Sequence, residues 1–180
     1  DVRYSVARVR QGRDLANKMW NASRLILMNA GETEPAPPSG DRVEDRWIAS
    51  RLQRAIASVT ESVDSYDFSH AVLDLYEFFW SELCDWYLEI AKPRLYDGDE
   101  DASATLLWAL EQVLALAHPF LPFVTEEVYS YMPRREAAAM AVHPFPEPDE
   151  PDRSHARIRA AWSSASIVGG LVRMRRPTTS

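Results

Sequence analysis

The sequence predicts an all-α protein, and three observations carry that reading. Strict alternation of apolar and polar residues is hard to find anywhere in the 180 residues, and only six are glycine. Twelve prolines fall mostly between runs of helical spacing, where they punctuate rather than interrupt. The 46% apolar content with six tryptophans describes a chain able to fill one ordinary helical core. No apolar run approaches the roughly 18 residues of a membrane span, so no membrane partner is expected. One cysteine, Cys84, excludes an internal disulfide and fits a reducing, cytoplasmic setting.

Taken in order, the first helix is expected over about 11–29, stopping before Gly31, a common residue just past a helix end. Leu15, Met19, Ala22 and Ile26 form its apolar stripe, widened by Trp20 and Leu27. The reverse face presents Asp14, Asn17, Lys18, Asn21, Arg24, Leu25 and Met28. Lys18, Asn21 and Leu25 stack one above another, a set that can contact unpaired bases or can equally be a solvated face with one stray Leu. Residues 32–40 (ETEPAPPSG) read as a Pro-rich surface connection. Asp41, with Glu44 three residues on, reads as the cap of a second helix reaching about Ser65. Trp47, Ile48, Leu52, Ile56, Val59 and Val63 face its core, and Arg42, Arg46, Arg51 and Arg54 line its other side as phosphate contacts or plain surface charge.

Ser69 reads as the cap of a third helix, which ends at the Lys92–Pro93 boundary. Stepping 100° per residue, Leu75, Tyr76, Phe79, Leu83, Trp86, Tyr87 and Ile90 share one apolar face, so this is expected to be the central helix of a bundle. Leu88 falls among Asp74, Glu77, Ser81 and Asp85, without a core to fill. Residues 97–101 (DGDED) read as a solvated loop lacking the full set of calcium-loop ligands. A fourth helix is expected from Ser103 to about Ala117, then a short fifth opening at Pro122 and ending near Met132. Residues 143–151 read as an extended Pro-rich strap, and a last helix over about 153–174 is weakened by Gly169-Gly170 before a fraying tail. The domain organisation expected is one helical domain over 1–150 and a basic C-terminal helix over 151–180.

The formal net charge of −7 disfavours a generic nucleic-acid binder, yet both ends are basic and the middle acidic. That polarity suits a surface that meets phosphates in one place and repels them elsewhere. Chemistry of its own is not expected. Four scattered histidines and one cysteine make no metal-ligand spacing, no Gly-rich phosphate loop exists, and adjacent Glu126 and Glu127 point in different directions on a helix.

Four stretches in order carry a resemblance: ANKMWNASRLIL (16–27), DRWIASRL (45–52), FWSELCDWYLEIAKPRL (79–95) and HPFLPFVTEEVY (118–129). Together they resemble the anticodon-binding helical domain of valyl-tRNA synthetases, class I enzymes, over about residues 1–150. The resemblance implies an antiparallel helix bundle of the class Ia anticodon-binding type. It also implies a partner, the anticodon stem-loop of tRNA-Val, and a catalytic domain in the same polypeptide that uses ATP and Mg²⁺. The HIGH and KMSKS motifs are absent from these residues, so no cofactor is expected within them. DVRYS looks like the segment just after the KMSKS loop, and residues 152–180 like the approach to a coiled coil.

Carried over position by position, the family's anticodon contacts fall on Lys18 and Asn21 for bases, Arg24 for phosphate or stacking, and Leu88 for apolar contact with a splayed base. Leu25 stands where the family commonly has Phe and offers contact without π-stacking. Arg46 and Arg51 are weaker phosphate candidates. Two alternatives remain: the equivalent module of an isoleucyl enzyme, and a helical protein-interaction bundle that docks through Leu25, Phe78 and Leu88.

Overall fold

The computed structural model describes residues 6–135 and 137–148, with side chains from Arg13 onward. The helix expected over 153–174, and the basic cluster within it, lie outside the described residues. The elements are α1 (Val6–Ala30), α2 (Val43–Asp64), α3 (Phe68–Glu77), a π-helical segment (Phe78–Leu88), α4 (Glu89–Tyr96), α5 (Glu100–Ala117) and α6 (Pro122–Ser130). A short 3₁₀ turn follows at Met140–Val142. No strand occurs among the described residues.

The central helix is α5, not the 79–95 stretch. It packs against α1, α2, α3, α4, α6 and the π segment. Its sequence (EDASATLLWALEQVLALA) explains this, because alternating small and medium side chains let neighbours approach from every side. Leu106, Leu107, Leu110, Val113, Leu114 and Leu116 are all fully buried. The helix also begins earlier than expected. Asp99 caps it by accepting from the Ala102 amide at 3.1 Å, and Glu100 and Asp101 place negative charge in its first turn, where the helix dipole favours it.

Helix α1 ends as expected, with Gly31 in the left-handed region at φ 67°. Other caps differ from expectation. The second helix starts at Val43 with Arg42 before it and no side-chain cap, so Asp41 and Glu44 form no capping box. Asp67, not Ser69, caps α3, by accepting from the His70 amide at 3.2 Å. Between α2 and α3 the chain reverses in three residues. The Asp67 amide donates to the Ser62 carbonyl and the Tyr66 amide to that of Val63, closing a Schellman turn with Tyr66 at φ 62°. The α2–α3 pair is therefore a tight helical hairpin.

The largest departure is inside the third helix. Glu77, Phe78, Leu88 and Glu89 all keep right-handed helical dihedrals, so residues 68–96 form one continuous helix whose middle is underwound and widened into π geometry. An i→i+5 turn advances roughly 80° per residue instead of 100°. Over the nine steps from Phe79 to Leu88 the narrower rotation completes two turns, whereas 100° steps end half a turn away. Leu88 accordingly returns beneath Phe79 and is 2% exposed. Phe78 and Cys84 are buried with it, while Trp86 and Ile90, both expected in the core, face outward at 63% and 45% exposure. The helix also runs through Pro93 to Tyr96. The carbonyl that Pro93 leaves without a donor is that of exposed Glu89, where the wide π turn ends and leaves room for the ring.

A polar hub ties these helices together. Arg94 on α4 makes a bidentate pair with Asp45 on α2, at 2.7 and 3.0 Å, and its Nε donates to Asp99 at 2.8 Å. The Tyr87 hydroxyl donates to the same Asp45 carboxylate at 2.8 Å. Asp45 is 4% exposed, so its charge depends on these donors.

Candidate nucleic-acid interface

The outer ridge of α1 is where the sequence concentrates unexplained polar residues, and the structure shows what flanks it. On one side, Lys18 lies against the start of the π segment. Its Nζ donates to the Tyr76 hydroxyl at 2.6 Å and sits 4.6 Å above the Trp80 ring centroid. The ammonium is thus held by one hydrogen bond and by the negative face of the indole. An ammonium has three N–H groups, and the Tyr76 hydroxyl engages one of them. A lysine stem left free would lose rotamer entropy on contacting a ligand; here part of that ordering already exists in the fold.

One turn along, Asn21 is exposed, and Arg24 and Leu25 follow it on the same ridge. Arg24 has no ion-pair partner among the described residues. Leu25 is 42% exposed, and its carbonyl accepts from the Asn29 side-chain Nδ2 at 2.7 Å. Lys18, Asn21, Arg24 and Leu25 are therefore brought together on one accessible surface. Leu88 is not among them. It lies in the core at 2% exposure, turned inward by the π geometry, where 100° spacing places it on the surface.

The two arginines on α2 separate. Arg46 is exposed. Arg51 instead makes a two-pronged pair with Glu82 of the π segment, its Nε donating at 2.7 Å and an Nη to the second oxygen. That hydrogen bond raises the guanidinium pKa further above its ordinary value and ties the charge to a carboxylate. Arg51 consequently fits a strut between helices better than a phosphate contact.

Sequence reasoning missed Tyr76 and Trp80 as companions of Lys18. The 100° spacing puts Tyr76 on the core face, and it is only partly buried. Nothing in one sequence marks a contact spanning 58 positions. It also missed the opposite flank of the ridge, where Trp20 meets Tyr131 of the α6 end, ring edge to ring face, with centroids 6.2 Å apart.

Among the described residues, no group of three or more His, Cys, Asp or Glu could hold a metal ion. Cys84 is buried, and desolvation pushes its thiol up to about 12. We expect a thiol-reactive probe at pH 8 to label Cys84 only on unfolding; rapid labelling of the folded chain would show the π segment opening on its own.

Comparison with known proteins places the chain in a family. Residues 45–175 match the model for the anticodon-binding domain of tRNA ligases. The chain belongs to that family. Similar proteins include the valine–tRNA ligase of Carboxydothermus hydrogenoformans, 37% identical over 97% of this chain and 20% of that protein. Those of Bacillus cereus and Geobacillus stearothermophilus are 41% and 42% identical over 84% and 82% of this chain, and 18% and 17% of theirs. The chain thus spans about a fifth of the length of the relatives it matches. Among solved structures, a ternary LeuRS–tRNA–LeuAMS complex from Agrobacterium radiobacter K84 superposes with a TM-score of 0.47 at 22% identity, covering 79% of this chain and 16% of that one. The regular structure of this anticodon-binding domain is helical among its described residues, and no described helix is long and apolar enough to cross a membrane.

Proposed function

We propose that this anticodon-binding domain is the part of a valine–tRNA ligase that recognises the anticodon stem-loop of tRNA-Val. The observation that carries the reading is the ridge of α1, where Lys18 is braced on Tyr76 and Trp80 beside exposed Asn21 and Arg24. In this reading Lys18 and Asn21 contact bases, and Arg24 contacts a phosphate or stacks. Leu25 packs against a base edge, and Arg46 is a peripheral phosphate contact. ATP, Mg²⁺ and aminoacyl transfer belong to the catalytic domain of the same polypeptide, in the cytoplasm, and no catalytic step is assigned to these residues.

The test is binding of valine and isoleucine anticodon stem-loops to the chain at two salt concentrations. Valine codons begin GU, so the preferred loop carries a central A followed by C. We expect preference for that loop, loss of preference when the central A is changed, and weaker binding at higher salt. Lys18→Ala and Asn21→Ala should each weaken the cognate loop by about 5- to 150-fold, equivalent to 1–3 kcal/mol. Equal binding of both loops, unaffected by either substitution, would end the proposal. The protein-docking alternative loses support, because two of its three patch residues, Phe78 and Leu88, are in the core.

A further inference from the structure

On the other flank of the α1 ridge from Lys18 lies a groove of about 390 Å³ lined by Trp20, Arg24, Leu27, Met28, Val128 and Tyr131. Trp20 and Lys18 are two residues apart, which places them about 200° apart around the helix. The groove is therefore a separate surface from the aromatic platform under Lys18. It is also open. Met28 is 72% exposed and Tyr131 61%, a large apolar area for a chain to leave in water.

We infer that this groove takes one splayed nucleobase of the bound RNA loop, a base other than those met by Lys18 and Asn21. The inference rests on the anticodon reading and extends it. Three features select a base over another occupant. The lining includes two aromatic rings, Trp20 and Tyr131, in edge-to-face contact with each other, and an aromatic ring offers π surface on which a base can stack. The volume lies in the range of small-ligand sites, roughly 300–1,000 Å³. Arg24, without an ion-pair partner among the described residues, stands at the rim, where the phosphate attached to such a base must pass. A nucleotide matches both the apolar lining and the guanidinium of Arg24 beside it. The carboxylate at that end, Glu127, already accepts the Tyr131 hydroxyl at 3.1 Å, an arrangement that orients the ring. Since a helix is about 10–12 Å across with its side chains, neighbouring loop nucleotides can straddle the ridge, one on each flank.

The experiment uses cognate anticodon stem-loops carrying 2-aminopurine at one loop position at a time, titrated with the 180-residue chain. We expect one position to lose most of its fluorescence at saturation, as stacking on a ring requires. Trp20→Leu and Tyr131→Leu should each restore that fluorescence and weaken binding about 5- to 100-fold, the range of a lost base–aromatic stack. Tyr131→Phe keeps the ring and should behave as the parent. Arg24→Ala should lower the slope of log affinity against log salt by about one. Lys18→Ala should weaken binding yet leave the quenching intact at saturation, which separates the two flanks. Both side chains are exposed enough to replace without opening the core, and thermal melts of each variant check this. Unchanged quenching and affinity in both leucine variants would overturn the groove inference, and the anticodon reading would stand if Lys18→Ala and Asn21→Ala still weakened binding. If Tyr131→Phe fails like Tyr131→Leu, the hydroxyl tether rather than stacking is at work, and the inference is equally overturned.

Discussion

Replacing Arg94 with Met should destabilise the domain by about 3–5 kcal/mol, the usual consequence of removing one partner from a buried ion pair. The physical cause is Asp45. It keeps only the Tyr87 hydroxyl as a donor once the guanidinium is gone, and at 4% exposure water cannot replace what is lost. A chain of this size should lose about 2–4 °C of melting temperature per kcal/mol. Asp45→Asn in the same background should recover a good share of the loss, because the cost lies in an uncompensated charge more than in a missing contact. A loss below about 1 kcal/mol in Arg94→Met would show that the hub is hydrated in solution and contributes as little as a surface pair.

The same hub gives the domain an acid dependence with a definite sign. The Arg94 hydrogen bond holds the Asp99 pKa below its ordinary value of 3.8, against the opposing effect of partial burial. A depressed folded-state pKa means that stability is present above the unfolded value and is lost as the pH falls below about 4 toward the folded one. Arg94→Met should reduce that part of the pH–stability curve without abolishing it, since the largest cause of the depression is removed while the Ala102 amide still donates to Asp99. Asp99 also caps α5, so its protonation loosens the central helix at its first turn.

What was legible in the sequence follows the regularity of its helices. Met19 and Ile26 on α1, and Ile48, Leu52, Ile56 and Val59 on α2, are buried as 100° spacing requires, because both helices keep α geometry throughout. The α1 ridge was legible for the same reason: Asn21, Arg24 and Leu25 are exposed where the periodicity puts them. Caps were less so. Asp41, Glu44 and Ser69 have the right chemistry in nearly the right place, yet Arg42 and Asp67 hold the cap positions, since a shift of one or two residues changes which side chain reaches a free amide. The Lys18 platform, the Arg94 hub and the Trp20–Tyr131 groove depend on tertiary contacts, which leave no local signature. The centrality of α5 was available in principle, because a helix apolar on every side signals burial all round.

Leu88→Ala is the substitution that separates spacing from geometry most sharply. If 100° steps applied throughout the third helix, Leu88 would lie on the surface and its truncation would cost a few tenths of a kcal/mol while weakening RNA contact. With the π segment in place, Leu88 fills the core beside Phe79, and truncation should cost about 2–5 kcal/mol through lost burial and the cavity left behind. Anticodon-loop affinity, measured well below the melting temperature, should change less than twofold, in contrast to Lys18→Ala. Trp86→Ala makes the reciprocal test: its 63% exposure predicts a loss of stability well below that of Leu88→Ala, although the alternative register would place it in the core. A stable Leu88→Ala with impaired RNA binding would return this helix to plain α geometry. The opposite pair of results places Leu88 in the scaffold, and with it the π turn that sets Tyr76 and Trp80 under Lys18. The residue least explained by helical spacing then serves the interface indirectly, by fixing the phase of the helix that braces its lysine.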